Sequence, residues 1–369
     1  MRVGLLIYGS LDAISGGFLY DRKLVEYLQR QGDKVEVISL EWRSYPHHLL
    51  DNFSPALYRR LVNLDVDILL QDELAHPSLF LTNRRLKDQV IYPIVSIVHH
   101  LRVSEIHPRF VLRLYHQIER AYLRTNDGYI FNSQTTREVV HALAGSSLKP
   151  YTVAYPGGQF GPEIDYGEII ARAHQAGPLK LLFIGNLIPR KSLHTLLDAL
   201  ETLPPGTATL TVVGGYLSDS KYGREMINRM KKFSHENSQW DCTTYLGVLP
   251  AEKLAEVLRA HHVIAVPSAY EGYGIVYLEG MGYGLPAIAT NRGAAGEIIT
   301  HNRHGFLLPP DDPAALAGTI QKLAANRDLL AELSLAARRR YLEHPTWEQT
   351  GYTIRQFLQN LATRRFTVV

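Results

Sequence analysis

The sequence predicts an α/β protein with two successive domains, each built on a parallel sheet. Its 369 residues exceed the ~100–200 residues of an ordinary single domain. Short continuous apolar runs, typical of strands buried on both faces, alternate with segments of helical periodicity. This strand–helix–strand order predicts parallel strands, because each connecting helix returns the chain to the same end of the sheet.

The composition is that of a globular protein in a reducing compartment. Apolar residues make up 46% and charged residues 20%, which excludes a disordered chain. The net charge of +3 and the pI near 8.7 permit an anionic ligand but do not indicate a nucleic-acid partner. The one cysteine, Cys242, excludes an internal disulfide and a cysteine metal cluster, which favours a cytoplasmic location. No apolar run reaches the ~18–20 residues of a membrane span, and Met1–Tyr8 is too short for a signal peptide.

The first domain is predicted to begin with a strand, a helix and a second strand. Val3–Tyr8 is a continuous apolar run, and Phe18–Arg30 carries apolar residues at helical spacing before a stop at Gly32. Lys34–Leu40 is the second strand. The rest of the domain is predicted to contain a helix at Arg109–Arg124 and four strands, at Asp67–Leu70, Ile94–Val98, Asp127–Phe131 and Tyr151–Ala154.

A second series of strands and helices follows a Gly- and Pro-rich stretch, Gly157–Pro178, which is the best linker candidate. Its strands are predicted at Leu179–Ile184, Ala208–Val213, Thr243–Leu246, Val263–Val266, Pro286–Ala289 and Gly305–Leu308. Its helices are predicted at Ser192–Leu203, Lys221–Phe233, Glu252–Ala260 and Ile275–Tyr283. We therefore predict an N-terminal domain over 1–160, a linker over 161–178, a C-terminal domain over 179–345 and a final segment over 346–369.

The final segment is predicted to be an amphipathic helix, Thr346–Ala362. Trp347, Ile354, Leu358 and Leu361 recur at helical spacing. The helix either caps the second domain or crosses back to the first. Two parallel α/β domains in succession imply a cleft, and ligands of open parallel sheets bind beyond the carboxyl ends of the strands.

The most informative stretch is YEGYGIVYLEGMGYGLP, Tyr270–Pro286. Glu271 lies in the loop before a predicted helix and Glu279 lies within that helix, so the two carboxylates can contact different parts of one ligand. Gly272 allows a close backbone approach. The helix start would also present free N–H donors to an anion, from Gly274, Ile275 and Val276. The alternative is a pair of solvated glutamates beside a glycine turn.

These residues and the ones that follow resemble the signature of retaining glycosyltransferases of family 4. The likeness consists of Glu271-x7-Glu279, then Gly284-Leu285-Pro286, then Gly296-Glu297-Ile298. It extends over nearly the whole chain and is strongest over Leu179–Pro309. The resemblance implies the GT-B fold, in which two Rossmann-like domains face a cleft and a C-terminal helix crosses back.

The resemblance also implies roles for both glutamates. Glu279 would hold the ribose hydroxyls of a sugar nucleotide, since one carboxylate can accept two charge-assisted hydrogen bonds. Glu271 would bind hydroxyls of the donor sugar and belong to the catalytic centre. The helix start between them would take phosphate.

Gly185–Lys191, GNLIPRK, follows the first strand of the second domain. Members of the family place an Arg directly after that Gly and a Lys five residues later, and both bind the diphosphate. Lys191 matches the Lys, whereas Asn186 stands in the Arg position. Arg190 is our hypothesis for the missing guanidinium, which would stabilise a leaving diphosphate. The alternative for both basic residues is a solvated helix start.

Three further motifs follow strands of the first domain. In the family, a glycine loop like Gly16-Gly17 approaches the donor phosphates; it is not G-x-G-x-x-G, which disfavours a nicotinamide site.

His99 and His100 end the strand IVSIV and should face opposite sides. The family has a His here near the reacting sugar carbon, and the strand alignment favours His99 as the catalytic one. A satisfied histidine at a strand end is the alternative. Asn132-Ser133 resembles a position that lines the cleft.

A basic helix face in the first domain could meet an acidic surface. Its arginines, which share one side of the predicted helix, are Arg109, Arg113, Arg120 and Arg124. An apolar stripe adjoins them, formed by Phe110, Leu114, Ile118 and Ala121. We expect either peripheral contact with the inner membrane surface or a lipid-linked acceptor, against the alternative of a solvated face.

The implied reaction moves a hexose from a nucleoside-diphosphate sugar to an acceptor hydroxyl and retains the anomeric configuration. UDP- or GDP-sugars are favoured as donors, and polysaccharide or glycolipid assembly is the expected context. No cofactor and no metal are expected, because Arg, Lys and helix dipoles neutralise the phosphates. Asp65-x-Asp67 is expected to face solvent. A non-catalytic sugar-nucleotide-binding subunit and a glycosidase with paired carboxylates are the alternatives.

Overall fold

A computed structural model describes residues 1–13, 15–145, 149–158, 163–216, 220–235 and 242–366. The chain divides into two compact units. The first unit contains Met1–Gly157 together with Pro345–Val369, and the second contains Gly158–His344.

The first unit is built on a sheet of six parallel strands. These are β1 Arg2–Tyr8, β2 Lys34–Leu40, β3 Ile68–Asp72, β4 Ile94–Val98, β5 Gly128–Phe131 and β6 Tyr151–Val153. Their order across the sheet is β2-β1-β3-β4-β5-β6. In register, Leu5 lies opposite Val37 on one side and Leu70 on the other. All the strands predicted for this domain are present; β3 runs further than predicted, to Asp72.

Helices cover both faces of this sheet. They are α1 Gly16–Arg30, α2 Tyr45–Leu50, α3 Pro55–Val62, α4 His76–Leu86, α5 Arg109–Leu123 and α6 Gln134–Ala144. Short 3-10 turns lie at Asp51–Phe53, Glu73–Ala75 and Arg102–Ser104. Because neighbouring strand residues point to opposite faces, Leu6 and Tyr8 enter one hydrophobic core while Leu5 and Ile7 enter another. The sequence predicted α1 and α5 but not the other four helices.

The second unit repeats this arrangement with six parallel strands. They are β7 Leu179–Ile184, β8 Ala208–Val213, β9 Thr243–Gly247, β10 Val263–Ala265, β11 Ala287–Thr290 and β12 Gly305–Leu308. The order across the sheet is β12-β11-β10-β7-β8-β9. This order makes β7 and β10 neighbours, so the loops that follow these two strands leave the same edge side by side.

The helices of the second unit include four that were predicted. They are α7 Tyr166–Ala173, α8 Leu193–Glu201, α9 Lys221–His235, α10 Ala251–Ala260, α11 Ile275–Gly282, α12 Ala295–Ile298, α13 Pro313–Ala325 and α14 Arg327–Leu342. A 3-10 turn lies at Pro189–Lys191. The predicted ones are α8, α9, α10 and α11, with shifted ends.

The stretch 161–178 differs from the linker that its Gly and Pro content predicted. Residues 161 and 162 lie outside the described residues, but α7 begins after Asp165, whose side chain accepts a hydrogen bond from Gly167 N–H. Ile169 is fully buried, and Arg172 donates to the carbonyls of Tyr283 and Gly284. The helix therefore packs as part of the second unit.

The C-terminal helix, α15 Trp347–Phe366, belongs to the first unit. Ile354 and Leu358 are fully buried in the core that also holds Leu5 and Ile7. Arg355 Nε donates to Asp33 Oδ2 at 2.7 Å. Of the two placements left open by the sequence, the helix takes the one that crosses back. Among the described residues, no helix combines the length and apolarity needed to cross a membrane.

Candidate functional site

Predicted donor-binding residues of the second unit meet at the carboxyl ends of β7 and β10. β7 leads into Gly185 and the 3-10 turn that carries Lys191, and β10 leads into the loop that carries Glu271. Gly214, after β8, approaches so closely that a Cβ there would lie 2.0 Å from Gly185 O. Glu271 also forms a parallel bridge with Gly293, after β11. Backbone contacts at this sheet edge therefore fix the position of both charged side chains.

Glu271 and Lys191 form a buried ion pair. Lys191 Nζ lies 2.6 Å from Glu271 Oε2, and their side chains are only 13% and 11% exposed. Ser268 Oγ donates to the same carboxylate oxygen at 3.0 Å. Arg190 Nη1 lies 3.8 Å from the other oxygen. Glu271 thus lies among two cations and one hydroxyl.

These cations control the charge of Glu271. Burial alone would raise the pKa of this carboxyl, but the charges of Lys191 and Arg190 outweigh burial and lower the pKa to about 2. Burial lowers the pKa of Lys191, and Glu271 opposes that shift. At neutral pH the carboxylate is ionised, and two cations adjoin it.

Arg190 and Asn186 differ in how they relate to this pair. Arg190 Nη1 donates to Tyr270 O at 2.9 Å, and Arg190 O accepts from Ala269 N–H at 2.8 Å. The arginine therefore ties its turn to the loop of Glu271. Asn186 is exposed, and its Oδ1 lies beside Gly215. The structure thus brings Arg190 to Glu271 and leaves Asn186 at the periphery.

The start of α11 lies next to Glu271 in the chain. Gly274 has φ +100°, and a Cβ there would lie 2.4 Å from the ring of Tyr277. Tyr277 is held in place by a hydrogen bond from its hydroxyl to Val266 O at 2.7 Å. Glycine is therefore required at the helix start. The first N–H groups of a helix have no acceptor inside it, so Ile275 and Val276 offer donors there.

Glu279 has a different environment from Glu271. Its side chain is half-buried on α11, and its carboxyl has no hydrogen-bond partner in the described part of the chain. Burial raises its pKa to about 7. A half-buried carboxyl without a protein partner is suited to accept hydrogen bonds from ligand hydroxyls.

In the first unit, His99 and His100 face different partners, as the strand alternation predicts. His99 Nε2 lies 3.3 Å from Asp21 Oδ1 on α1, whereas His100 Nε2 lies 2.8 Å from Glu105 Oε1. Asn132 Nδ2 donates to His99 O at 2.8 Å. Ser133 caps α6 by accepting a hydrogen bond from Thr136 N–H. Asn132 thus supports the end of β4, and Ser133 has a local structural role.

Gly16 and Gly17 form the first turn of α1 and not the loop before it, contrary to the predicted start at Phe18. Ser15 caps this helix by accepting a hydrogen bond from Phe18 N–H. A Cβ on Gly17 would lie 3.2 Å from His99 Cδ2. Glycine at this position therefore allows the helix start to pack against the histidine ring.

Sequence reasoning missed the acidic residues around His99. Asp21, Asp72 and His99 each place one polar atom within 4.8 Å of the others, and all three residues are buried. They are the only such group of three acidic, His or Cys side chains found among the described residues. Since His99 Nε2 already faces Asp21, we treat the group as a hydrogen-bonded charge cluster and assign no metal there. Asp21 lies one helical turn after Gly17, which is the signal that could have drawn attention to it.

The basic face of α5 is smaller than predicted. Arg109, Arg113 and Arg124 are exposed, but Arg120 is half-buried and its Nε is enclosed. Exposed apolar side chains adjoin the first two arginines; they are Ile106, Phe110 and Leu114. Ile118, predicted to continue the apolar stripe, is buried in the unit.

The acidic pair Asp65-x-Asp67 contacts the chain itself. Arg2 forms ion pairs with both carboxylates, and Asp65 is 82% exposed. Asp65 therefore faces solvent as predicted, and the pair has a local role at the start of β1.

Part of the second unit matches a known family. Residues 168–340 match the family model described as glycosyl transferases group 1. The chain is also similar to glycogen synthase of Mycobacterium tuberculosis, with 28% identity over 264 residues. That similarity covers 69% of this chain and 60% of the relative. The family model and the relative's name support the prediction that the chain is a glycosyltransferase enzyme.

Solved structures share the fold over nearly the whole chain. Sucrose-phosphate synthase from Thermosynechococcus elongatus matches with a TM-score of 0.81 and 22% identity, over 98% of this chain and 99% of that one. Anabaena HepE in complex with UDP and glucose matches with a TM-score of 0.73 and 21% identity, over 98% of this chain and 100% of that one. These matches, with the two six-stranded parallel sheets, confirm the predicted two-domain α/β fold class.

Proposed function

We propose that this protein is a retaining glycosyltransferase that moves a hexose from a nucleoside-diphosphate sugar to an acceptor hydroxyl. The observation that carries the proposal is the arrangement at the edge of the second sheet. Lys191 and Arg190 surround Glu271 there, and α11 begins four residues beyond it. Two cations beside a helix start are an environment for a diphosphate.

Lys191 has two acceptors in this proposal. Without ligand, its ammonium pairs with Glu271. A Lys ammonium has three N–H donors, so it can retain one bond to the carboxylate and direct another to a phosphate oxygen. Glu271 then keeps acceptor capacity for sugar hydroxyls, and Glu279 accepts from the ribose hydroxyls. The amides of Ile275 and Val276 complete the phosphate site.

The chemistry follows from these charges. The bond between the anomeric carbon and the diphosphate oxygen breaks, and a bond from that carbon to the acceptor oxygen forms. The acceptor proton passes to the departing diphosphate. Lys191, Arg190 and the positive end of α11 stabilise the charge on the leaving group, so the proposed reaction uses no metal. His99 is proposed to act beside the reacting sugar.

For the donor, we propose a UDP- or GDP-hexose. The complex of HepE with UDP and glucose, in a chain of the same fold, supports testing UDP-glucose first. Isothermal titration calorimetry with UDP-glucose should give binding for the wild type and weaker binding for Glu279→Gln. Glu256→Gln is the matched control, because Glu256 is an exposed glutamate on α10 of the same unit, and within the described ranges it pairs only with Lys253. Equal affinities of wild type and Glu279→Gln would exclude the proposed ribose contact.

The acceptor is proposed to be a glycan or a lipid-linked glycan, at a membrane surface. Support comes from α5, where exposed arginines adjoin exposed Ile106, Phe110 and Leu114, a combination suited to anionic lipid. Sedimentation with vesicles containing phosphatidylglycerol tests this contact. The double variant Arg109→Glu, Arg113→Glu should lose most of the bound fraction, and vesicles of phosphatidylcholine alone should bind little protein. Equal binding to both vesicle types would contradict the proposal.

A non-catalytic sugar-nucleotide-binding subunit is the second candidate function. It is favoured by one observation, the exposed Asn186 where the family has a diphosphate-binding Arg. Release of UDP or GDP from a sugar nucleotide in the presence of acceptor distinguishes the two candidates. Binding without turnover, across a panel of glycan and lipid-linked acceptors, would favour the binding subunit.

A further inference from the structure

The carboxylate next to His99 comes from α1. Asp21 is fully buried, and its Oδ1 lies 3.3 Å from His99 Nε2. Asp21 is one turn beyond Gly17, whose missing side chain allows α1 to pack on the ring of His99. Position and packing therefore direct this carboxylate at one nitrogen of the imidazole.

The rest of His99 is also held in place. Its backbone N–H donates to Glu73 Oε2 at 3.2 Å, and its carbonyl accepts from Asn132 Nδ2. The ring of Tyr20 meets the imidazole edge-on, with 5.2 Å between the ring centres. Nδ1 has no hydrogen-bond partner within the described residues, and it is not one of their enclosed unpaired atoms. The only ring nitrogen left for a ligand is therefore Nδ1.

Acidic groups face the imidazole from two elements. Asp21 lies on α1, and Asp72 and Glu73 lie at the end of β3. Asp21 Oδ2 and Asp72 Oδ2 are enclosed, and the two carboxyls share a side-chain hydrogen bond. Burial lowers the pKa of His99, but Asp21, then Asp72 and Glu73, raise it to about 9. A charged ring has N–H donors on both nitrogens and no lone pair with which to accept a proton.

We propose that Asp21 is a positioning residue that holds His99 as a hydrogen-bond donor, through Nδ1–H, to an oxygen of the substrate. His99 would then not act as a general base. This inference rests on the proposed function, since it assigns the part that His99 plays in sugar transfer. It extends that function by identifying which atom of His99 meets the ligand and which residue sets its charge.

The first test does not need enzyme activity. NMR of protein with isotope-labelled histidine follows the 16 histidines against pH, and His99→Asn identifies the signal of His99. In the wild type, His99 should titrate well above the ordinary value of ~6.5, and Asp21→Asn should lower its pKa by about one unit or more. Asp328→Asn is the matched control, because it removes the carboxylate 2.9 Å from the exposed His174 and should leave His99 unchanged.

A wild-type His99 that titrates at or below ~6.5, or one that Asp21→Asn leaves unchanged, overturns the proposal. Far-UV circular dichroism establishes that each variant is folded. Should Asp21→Asn not fold, the wild-type titration alone still decides the charge of His99. These results remain valid even if the protein transfers no sugar, so they separate this inference from the proposed function.

The second test uses turnover. The wild-type kcat should stay level between pH 6 and 8 and fall as His99 loses its proton at higher pH. Asp21→Asn should move that fall to lower pH and reduce kcat at pH 8 about ten-fold, with little change in KM for the donor. A purely structural loss would lower kcat without moving the pH profile.

Two substitutions of His99 separate its nitrogens. The amide of His99→Asn reaches the position of Nδ1 and preserves a donor there, whereas His99→Gln extends to the position of Nε2. His99→Asn should therefore retain about ten-fold more activity than His99→Gln. Greater activity in His99→Gln, or a wild-type kcat that rises with pH through ~6.5 as a general base requires, would contradict the proposal.

Discussion

The two units each bury an ion pair, and the pairs have opposite surroundings. In the second unit one carboxylate, Glu271, lies between two cations, Lys191 and Arg190. In the first unit one imidazole, His99, faces three acidic residues. The first arrangement places two cations beside one carboxylate, whereas the second places three acidic residues around one imidazole. We therefore propose the diphosphate for the second unit and uncharged hydroxyl or carbonyl oxygens for the first.

The largest effect should come from removing Lys191, the cation of the ion pair in the second unit. Lys191→Met leaves Glu271 as a buried carboxylate with a weaker partner, which should lower the free energy of unfolding by about 3–5 kcal/mol. Affinity for UDP should fall by more than about 100-fold. Thermal unfolding and calorimetry measure the two effects.

The double variant Lys191→Met, Glu271→Gln separates stability from binding. It should regain most of the lost stability, because neither buried charge remains unpaired, yet it should still bind UDP poorly. Recovery of UDP affinity in the double variant would show that Lys191 supports the fold only, and the comparison between the two pairs would lose its functional meaning.

Glu279→Gln should have the next largest effect, on binding. The carboxylate has no protein partner in the described residues, so its loss should weaken sugar-nucleotide affinity by about 10–100-fold without lowering stability at pH 8. Because burial raises the pKa of Glu279 to about 7, donor affinity in the wild type should increase as pH rises through 7. Calorimetry at pH 6 and pH 8 measures this increase, which Glu279→Gln should abolish. A variant with the same pH dependence as the wild type would contradict the assignment.

The stability of the two clusters should depend on pH with opposite signs. The folded-state pKa of Glu271 is lowered, so this pair stabilises the protein above the ordinary carboxyl range and loses its effect as pH falls toward 2. The folded-state pKa of Asp72 is raised to about 7, so Asp72 destabilises the fold as pH rises.

Asp72→Asn should therefore increase the free energy of unfolding at pH 8 by about 1–2 kcal/mol and change it little at pH 4. Glu271→Gln should decrease stability at pH 8. Urea unfolding of both variants at the two pH values provides the measurement. A loss of stability in Asp72→Asn at pH 8 would contradict this prediction. It would mean that other groups of the first unit stabilise the ionised Asp72 carboxylate.

The smallest effect concerns Asn186, which stands where members of the family have an arginine. Because this side chain is exposed beside Gly215, Asn186→Arg adds a guanidinium without displacing a buried group. Donor affinity should improve by about a few-fold, because one solvent-exposed charge contact contributes little binding free energy. An improvement of two orders of magnitude would instead indicate that the natural site lacks a required cation, and would favour the binding subunit over the enzyme.

The strands were predictable because each is a short apolar run buried on both faces, as in Val3–Tyr8 and Leu179–Ile184. The helix α7 was not, because it is eight residues long and lies in a stretch rich in Gly and Pro. Such a short helix is stabilised by packing, here through Ile169 and Arg172, and not by a local pattern.

The charged residues at the sheet edge of the second unit were predictable, but their pairing was not. Lys191 and Glu271 were both predicted from their motifs, each for the ligand. They meet because β10 lies beside β7 in the sheet, and the strand order is not encoded in either motif.

In the first unit, Asp21 resembles an ordinary solvated helix residue in the sequence. Its burial depends on how α1 packs against β3 and β4, elements distant in the chain. Acidic clusters formed by such packing have no local signature, so their charges could be assigned only from the structure.

The central claim is tested most directly by a crystal structure of the protein with UDP-glucose or UDP. The account predicts phosphate oxygens within hydrogen-bond distance of Lys191 Nζ and of the amides of Ile275 or Val276, with the ribose hydroxyls on Glu279. A nucleotide bound away from these groups, with Lys191 and Glu271 paired only to each other, would contradict it.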